Sequence, residues 1–496
     1  MKNFFILIVV TILISCGPVY KSDDLTNGIM IDCSRLLEKH EYYYELVDFM
    51  AAWDMNTLLL HFSDDHGISI SLPGFEKLAH PKAFTPKEIQ NLTKYAETKG
   101  IEIIPELEVF GHTRYITDHP DYSYLYVGDR ADKIVFNALD PLNPKSIDLM
   151  RSMIKEVALI FTSKYFHLGC DEVNLEPLGL NDDDEAIVWT NYVNTMMAIV
   201  QENGKNPMIW GDHIRKNLEI AKMLDKDVVL VEWNYSPDYK PTRLDTLTKI
   251  GYENIIMAPS ISCWRSRVIP SRPQLNNVDA HAKVVQEGRA DGLINTVWLP
   301  MRYLQNSMWY GMAYSAWLVN SHESMNLKKF HKAFVKNTFG VRLSKKFDYF
   351  LNNWIMPHLD RGFYSAIAKG DYAILDNPEM IKELTSVRDL SKKLLLNRIH
   401  IAPKKNPDIL ESMYLSTEIM NVLSMGLLYL AEENTAEISR QQLLEQINDV
   451  IGCVSQEWDK GRFPDDPAKY EAKFPNQENS HLLVLLKKIE SQLSPK

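Results

Sequence analysis

Eight short apolar runs, separated by longer amphipathic stretches, constrain the fold of this 496-residue chain more than any other feature. Their apolar residues are largely continuous and do not alternate with polar ones. Strands of that kind are typical of a parallel sheet covered on both faces. The predicted strands are 28–32, 56–61, 101–107, 165–169, 207–211, 228–233, 255–258 and 293–298.

The stretches between these runs carry apolar residues at three- and four-residue spacing, which predicts amphipathic helices. Examples are 41–53, 86–99, 143–161, 185–202 and 278–289. Eight strand–helix units in about 300 residues predict an α/β fold, a (β/α)8 TIM barrel. A doubly wound open sheet is the alternative, but no glycine-rich phosphate loop accompanies it here.

Beyond about residue 327 the strand signal fades, and amphipathic helical patterns follow. We therefore predict a barrel over 28–325 and a mainly helical C-terminal region over 326–496. That region either caps the barrel or forms a contact in a homodimer, and the sequence leaves both open. The predicted helices in it are 413–432, 440–450 and 481–493.

The first residues predict export and a lipid anchor. Lys2 precedes an apolar run over 4–14, which is too short for an ordinary membrane span but has the length of a signal-peptide core. Leu-Ile-Ser-Cys, ending at Cys16, resembles a bacterial lipobox. We expect a signal peptide over 1–15, a lipidated Cys16, a tether over 16–27 and residence in the bacterial cell envelope. An ordinary signal peptide with a coincidental cysteine is the alternative.

Charge and cysteine content exclude several classes of function. The formal net charge is -11 and no basic patch stands out, which argues against nucleic-acid binding. The other four cysteines have the spacing of neither a zinc site nor a disulfide framework. Cys33, Cys170 and Cys263 lie in or beside predicted strands, so we expect buried free thiols. No metal or cofactor is predicted.

In a (β/α)8 barrel, active-site groups project from the carboxyl ends of the strands. Here those ends are rich in carboxylates, histidines and aromatic rings, and aromatic faces are what a sugar ring stacks against. From the second strand to the eighth, the segments are HFSDDHG, PELEVFGH, GCDEV, IWGDH, VEWNY, SISCWRS and TVW.

Segments around the first four predicted strands resemble one enzyme family. HLGCDEV resembles the His-x-Gly-x-Asp-Glu signature of glycoside hydrolase family 20, the β-N-acetylhexosaminidases, and IIPELEVFGH resembles its third-strand motif. NTLLLHFSDDHG and GIMIDCSR resemble its second and first strands, and the order and spacing of all four fit over 28–300. The chain is most similar to the hexosaminidase D-like and short bacterial members.

The resemblance implies removal of terminal β-linked GlcNAc or GalNAc from glycans, with retention of configuration. The substrate's own acetamide carbonyl would attack the anomeric carbon and form an oxazolinium ring, a substrate-assisted mechanism. Glu172 would protonate the leaving oxygen and later activate water. Asp171 would bind the acetamide N–H and stabilise the growing positive charge. Like charges held this close are expected to push the two pKa values apart.

Further roles follow from the same resemblance. His112 and Glu108 would form a dyad near the acid, although the family usually has Asp at the position of Glu108. Tyr235 would polarise the acetamide oxygen. The other expected substrate contacts are acidic, basic or aromatic side chains at strand ends: Arg35, Asp64, Asp65, Trp210, Asp212, Trp233, Trp264 and Trp298.

Two departures leave sugar specificity open. Asn27 stands where the family commonly has an arginine that contacts sugar hydroxyls, and Pro300 stands where it often has an acidic residue. Preference for GlcNAc or GalNAc therefore cannot be carried over from the family.

Two other classes of function compete with this reading. A metal-dependent barrel hydrolase would use His61, His66, His112 and Asp171, but the His-x-His pair expected at its first strand is missing. A glycan-binding lipoprotein that has lost catalysis could discard Glu172, and its presence beside Asp171 favours an enzyme.

Overall fold

The computed structural model describes residues 25–128, 138–263, 267–321, 326–356, 359, 361–399, 402–431, 438–463 and 481–494. The predicted signal peptide, Cys16 and Trp264 lie outside the described residues.

Twelve strands are formed among the described residues, and eight of them close a parallel barrel. The strands are β1 (Thr26–Asp32), β2 (Thr57–His61), β3 (Ser63–Asp64), β4 (Gly67–Ile70), β5 (Ala79–Phe84), β6 (Glu102–Glu106), β7 (Tyr165–His167), β8 (Asn206–Trp210), β9 (Val229–Trp233), β10 (Ile255–Ala258), β11 (Ser260–Ser262) and β12 (Gly292–Val297). The barrel order is β1-β2-β6-β7-β8-β9-β10-β12, and β12 pairs back onto β1. This confirms the predicted barrel, with each predicted strand end within two residues of the observed one.

Helices cover the outside of the barrel, which is why its strands are apolar along their whole length. Every residue of β2 and of β12, for example, is buried. The helices of this part are α1 (His40–Ala52), α2 (Pro86–Thr98), α3 (Arg114–Thr117), α4 (Pro144–Ile160), α5 (Asp182–Glu202), α6 (Asp212–Lys216), α7 (Leu218–Met223), α8 (Leu244–Ile250), α9 (Arg272–Gln286) and α10 (Trp309–Ser321).

Local sequence explains where the main helices begin. Thr85 and Glu88 form a capping box at the start of α2, and Pro86 occupies its first turn. At α4, the Asn143 side chain accepts the Lys145 backbone N–H, and proline again follows the cap. These signals fix where α2 and α4 begin.

A small second sheet, which the sequence did not predict, lies between β2 and α2. Strand β3 pairs with β4 antiparallel, and β4 pairs with β5 parallel. Since β3 is Ser63–Asp64, this sheet fixes the residues that directly follow the second barrel strand. It therefore positions the first half of the HFSDDHG segment at the mouth of the barrel.

The C-terminal region is helical among the described residues, as predicted. Its helices are α11 (Leu327–Phe339), α12 (Lys345–Trp354), α13 (Arg361–Lys369), α14 (Pro378–Leu396), α15 (Pro407–Leu430), α16 (Arg440–Gly461) and α17 (Leu482–Leu493). Among the described residues, no helix combines the length and the apolarity that crossing a bilayer requires.

A buried ion pair joins this region to the barrel. Arg462 Nε donates to both carboxylate oxygens of Glu38, at 3.1 and 3.0 Å, and both side chains are almost completely buried. A second guanidinium nitrogen donates to the Tyr303 carbonyl at 2.9 Å. Since Glu38 follows β1 and Tyr303 follows β12, the helical region packs against the barrel where the barrel closes. The free cysteines Cys33, Cys170 and Cys263 are buried, as predicted.

Candidate active site

Six of the eight barrel strands end at one pocket. Three carboxyl groups, two imidazoles and a guanidinium share this pocket with three aromatic rings. Its lining residues are Arg35, His61, Asp64, His112, Asp171, Glu172, Trp233, Tyr235 and Trp298.

The segment after β7 reaches the pocket through an unusual backbone. Gly169, Cys170 and Glu172 have φ angles of 67°, 72° and 49°, in the left-handed region that side chains normally avoid. Such a conformation costs roughly 1 kcal/mol or more for a non-glycine residue, so the surrounding structure has to hold it. Glycine is required at 169 because a Cβ there would collide with the Glu108 carboxylate. The strained turn directs the side chains of the neighbouring carboxylates into the pocket.

His112 lies between the carboxylates of two loops. Its Nδ1 donates to Asp65 Oδ2 at 3.0 Å, while Nε2 lies 3.5 Å from Glu172 Oε2 and 3.8 Å from Asp171 Oδ2. Asp65 is held in turn by the Arg114 backbone N–H at 3.1 Å. The imidazole therefore links the loop after β2 to the two carboxyl groups after β7.

The expected dyad of His112 with Glu108 is not formed among the described residues, and Asp65 takes the place of Glu108. The Glu108 side chain turns toward the strained segment, where its Oε2 accepts the Cys170 backbone N–H at 3.3 Å. Its other oxygen has no hydrogen-bond partner. Complete burial and the nearby Asp171 raise the pKa of Glu108 well above its usual value. Glu108 thus supports the catalytic segment, residues 169–173, by holding its backbone.

The pKa values of the site are strongly perturbed. Burial raises the pKa of Asp171 to about 7; Asp212 and Glu172 add to the shift, and His112 opposes it. Burial alone would lower the pKa of His112, but Asp171, Asp65 and Glu172 together raise it well above its usual value. A protonated imidazole therefore faces an aspartic acid that changes charge near neutral pH.

The polar floor of the pocket is an ion-pair chain. Arg35 contacts Asp64 at 2.7 Å and Asp32 at 2.9 Å. His61 lies between Asp64, 3.3 Å from its Nε2, and Glu106, 3.1 Å from its Nδ1. Burial opposes protonation of His61, but Glu106 and Asp64 raise its pKa to about 10. From the sequence, His61 was expected only as a metal ligand in the competing hydrolase, although its place at the end of β2, three residues before Asp64, also fits an ion pair in the site.

The aromatic wall is also fixed by polar contacts. The indole N–H of Trp298 donates to the Tyr235 hydroxyl at 2.7 Å. Trp233 and Tyr235 stack at 5.2 Å between ring centroids, and the Arg35 guanidinium lies 5.2 Å from the Trp298 ring. This wall lines the pocket with two indole rings and a phenol.

Three of the expected substrate contacts do not line the pocket. Trp210 is completely buried inside the barrel, because the Glu106 carboxylate captures its indole N–H at 2.6 Å. Asp212 is buried behind the catalytic segment, where it accepts the Glu172 backbone N–H at 3.4 Å. Asp65 is used by His112. Trp264 is outside the described residues.

Two groups of described side chains have the composition of a metal site: His61 with Glu106 and Glu108, and Asp64 with Asp65 and His112. Within each group the possible ligand atoms lie within 4.8 Å of one another. Most of these side chains are already engaged in the ion pairs described above. A metal ion at either place would have to replace an existing pair.

Comparisons with known proteins agree on one family. Residues 27–264 match the model of the catalytic domain of glycosyl hydrolase family 20. The β-hexosaminidase of Vibrio furnissii is 29% identical over 201 residues, which cover 34% of this chain and 31% of that protein. The mouse β-hexosaminidase subunit beta is 23% identical over 251 residues, or 47% of this chain and 46% of that one. The chain thus spans less than half the length of these two curated relatives.

A solved structure agrees on the fold. The chitobiase of Flavobacterium johnsoniae superimposes with a TM-score of 0.50 at 18% identity, over 94% of this chain and 78% of that one. The barrel closure, the Asp171–Glu172 pair at a strand end and the family match over residues 27–264 are mutually consistent. Over residues 27–264, this chain therefore matches the catalytic domain of glycosyl hydrolase family 20.

Proposed function

We propose that this protein is an exo-acting β-N-acetylhexosaminidase that removes terminal β-linked GlcNAc or GalNAc with retention of configuration. One observation carries the proposal: Asp171, Glu172 and His112 line one pocket together with Trp298 and Tyr235. A pocket, rather than an open groove, suits the end of a glycan chain. The pocket supplies an acid, a group to face a cation, and ring faces for a sugar.

Glu172 is the acid and base in this proposal. Its side chain is 26% exposed, whereas that of Asp171 is 12% exposed, so Glu172 is the carboxyl better placed to meet an incoming water. It gives a proton to the leaving oxygen, and afterwards it removes one from the attacking water. His112, 3.5 Å away, stabilises the carboxylate that remains between these two steps.

Asp171 serves the acetamide group. When the acetamide carbonyl oxygen bonds to the anomeric carbon, positive charge grows on the acetamide nitrogen, and the ionised Asp171 accepts its N–H. A carboxylate in a buried site stabilises that charge more than one in water does. The raised pKa of Asp171, about 7, means that this ionised form develops as the pH reaches neutrality.

The aromatic wall holds the sugar in place for this attack. The Tyr235 hydroxyl donates to the acetamide oxygen and keeps it pointed at the anomeric carbon. Trp233 and Trp298 cover the apolar faces of the acetamide and of the sugar ring. Arg35 and Asp64 on the floor contact ring hydroxyls.

Hydrolysis of 4-nitrophenyl N-acetyl-β-glucosaminide and of the matching galactosaminide tests the proposal. We expect turnover of at least one of them, with the β-anomer of the free sugar as the first product seen by proton NMR. Saturable binding of N-acetylhexosamine-terminated glycans without any turnover would instead indicate a glycan-binding protein on the same barrel. An α-anomer as first product would contradict the retaining mechanism.

We also propose that the protein is anchored in the bacterial cell envelope by a lipid on Cys16. The support is the Leu-Ile-Ser-Cys motif behind an apolar run of signal-peptide length. Metabolic labelling with a fatty acid should mark the wild type and should fail for Cys16→Ala, which should leave the membrane fraction. Equal labelling of the variant would contradict this part of the proposal.

A further inference from the structure

We propose that His213 is a positioning residue for the general acid: its neutral imidazole holds the backbone of the catalytic segment by accepting the Val173 N–H. The role deepens the proposed glycosidase function and rests on it. His213 belongs to the IWGDH segment after β8 and lies in α6.

The contact is direct and lies one residue after Glu172. The Val173 backbone N–H donates to His213 Nε2 at 3.0 Å. Two further side chains hold neighbouring backbone N–H groups: Asp212 accepts that of Glu172, and Glu108 accepts that of Cys170. Three of the four backbone N–H groups from 170 to 173 are therefore bound by side chains of the adjacent strand ends.

The strained backbone makes this support necessary. Glu172 has a φ of 49°, which an unrestrained chain would leave for a more stable conformation. Losing the acceptor for the Val173 N–H would both expose an unpaired donor and release one of the three restraints. Because Glu172 has to reach the leaving oxygen, a displacement of about 1 Å would cost up to roughly 100-fold in rate.

The imidazole ring is itself held in place. It stacks on Trp189 of α5, with 5.2 Å between centroids and 29° between planes, and its side chain is only 14% exposed. Trp189 is buried in the layer outside the barrel. Because the ring is fixed against α5 and belongs to α6, the placement of these two helices determines where the Val173 N–H is held.

The contact requires the neutral imidazole, with its proton on Nδ1, because a protonated Nε2 cannot accept an N–H. The charged groups that face the ring are Asp212, 3.9 Å from Nε2, together with Lys216 and Glu172. Burial lowers the pKa of His213, Lys216 adds to that shift, and the two carboxylates oppose it. The net shift keeps Nε2 free to accept at neutral pH.

Two substitutions separate the acceptor from the ring. His213→Phe keeps the stack on Trp189 and removes the acceptor, whereas His213→Gln restores an acceptor oxygen that cannot be protonated. His281→Phe is the matched control, since His281 is another buried histidine stacked on an aromatic ring, Tyr239, on the outer helix α9.

The first measurement does not depend on activity. Amide hydrogen exchange of the peptide covering 170–175 should be at least about ten-fold faster in His213→Phe than in the wild type, because an amide that loses its partner becomes free to exchange. His213→Gln and His281→Phe should leave this peptide close to the wild type. Unchanged exchange in His213→Phe would overturn the contact, whatever the substrate of the enzyme.

The second measurement tests the link to the acid. His213→Phe should lower kcat about ten-fold or more for a glycoside with a poor leaving group, with little change in KM. The fall in kcat should be smaller for the 4-nitrophenyl glycoside, whose leaving group needs less help from an acid. His213→Gln should recover most of that loss. Equal losses for both leaving groups, or no recovery by Gln, would reduce His213 to a stability role. Absence of turnover in the wild type would contradict the proposed function and leave the exchange result to decide the contact.

Discussion

The catalytic pocket and the Glu38–Arg462 junction are both buried and charged, yet they are built in opposite ways. At the junction one guanidinium meets one carboxylate, at 3.0 and 3.1 Å, and the arginine also stacks on Trp458 at 3.8 Å. In the pocket, Asp171 and Glu172 share a single imidazole, and their segment is strained.

The charges at the junction stabilise the fold, whereas the charges in the pocket are available for chemistry. Opposite charges that pair with each other leave few charged atoms able to bind a ligand. Like charges held together raise the pKa of one of them, as at Asp171, and leave acceptor atoms for a substrate to use. Substitutions in the pocket should therefore change activity with little loss of stability, and substitutions at the junction should do the reverse.

The largest expected effect is that of Glu172→Gln on activity. It should lower kcat about 100- to 10,000-fold for glycosides with poor leaving groups, which need a proton, and much less for leaving groups that depart as stable anions. The thermal midpoint should stay close to that of the wild type. Glu176→Gln, an exposed change four residues later, is the matched control and should behave as the wild type. Equal losses for both kinds of substrate would remove Glu172 from the acid role.

At the junction, Arg462→Met should lower the free energy of unfolding by about 3–5 kcal/mol, because Glu38 is left buried and unpaired. Measured by denaturant unfolding, this loss should exceed that of Arg398→Met, which breaks an exposed pair with Glu411 worth about 0–1 kcal/mol. The kcat of the folded Arg462→Met protein should remain within a few-fold of the wild type. A large fall in kcat without a loss of stability would show that the two regions are not separate in this way.

Asp171→Asn should lower kcat about 100- to 1,000-fold for 2-acetamido substrates, since it removes the charge that faces the cation but keeps the volume. Because Asp171 is crowded by like charges, the variant should be as stable as the wild type or slightly more stable. Both quantities can be measured on one preparation, by steady-state kinetics and by thermal unfolding. A strongly destabilised variant would contradict the comparison.

The smallest expected effect is on pH dependence. If ionised Asp171 is required, kcat/KM should fall about ten-fold for each pH unit below its raised pKa of about 7, since the proton on Asp171 is gained as the pH drops through that value. Above that pH this loss disappears. Asp171→Asn should flatten this acid limb in a kcat/KM–pH profile. An acid limb that stays unchanged in the variant would assign it to another group.

The barrel could be predicted because its strands are continuous apolar runs, a signal that depends only on neighbouring residues. The small sheet of β3, β4 and β5 was missed because two-residue and four-residue strands carry little pattern of their own. Helix α9 begins six residues before the predicted start of 278, since the proline in its first turn was not used as a start signal.

In the site, the place of Asp171 and Glu172 at a strand end could be predicted from their motif, but the side chains that hold them could not. The partner of His112 depends on how the loop after β2, held by the small sheet, lies against the loop after β6. Trp210 and Trp233 both end a strand, and the sequence gives no reason to separate them. Only the three-dimensional arrangement shows that Glu106 retains the Trp210 indole inside the barrel while Trp233 reaches the pocket.

The central claim is that the acetamide of the substrate is the nucleophile, and one comparison of rates tests it most directly. We expect kcat/KM for 4-nitrophenyl N-acetyl-β-glucosaminide, or for the galactosaminide, to exceed that for the matching 2-hydroxy glycoside by at least about 1,000-fold, because the 2-hydroxy sugar lacks the attacking group. Comparable rates on both, or a covalent adduct of a 2-fluoro sugar with Asp171 or Glu172, would contradict the account.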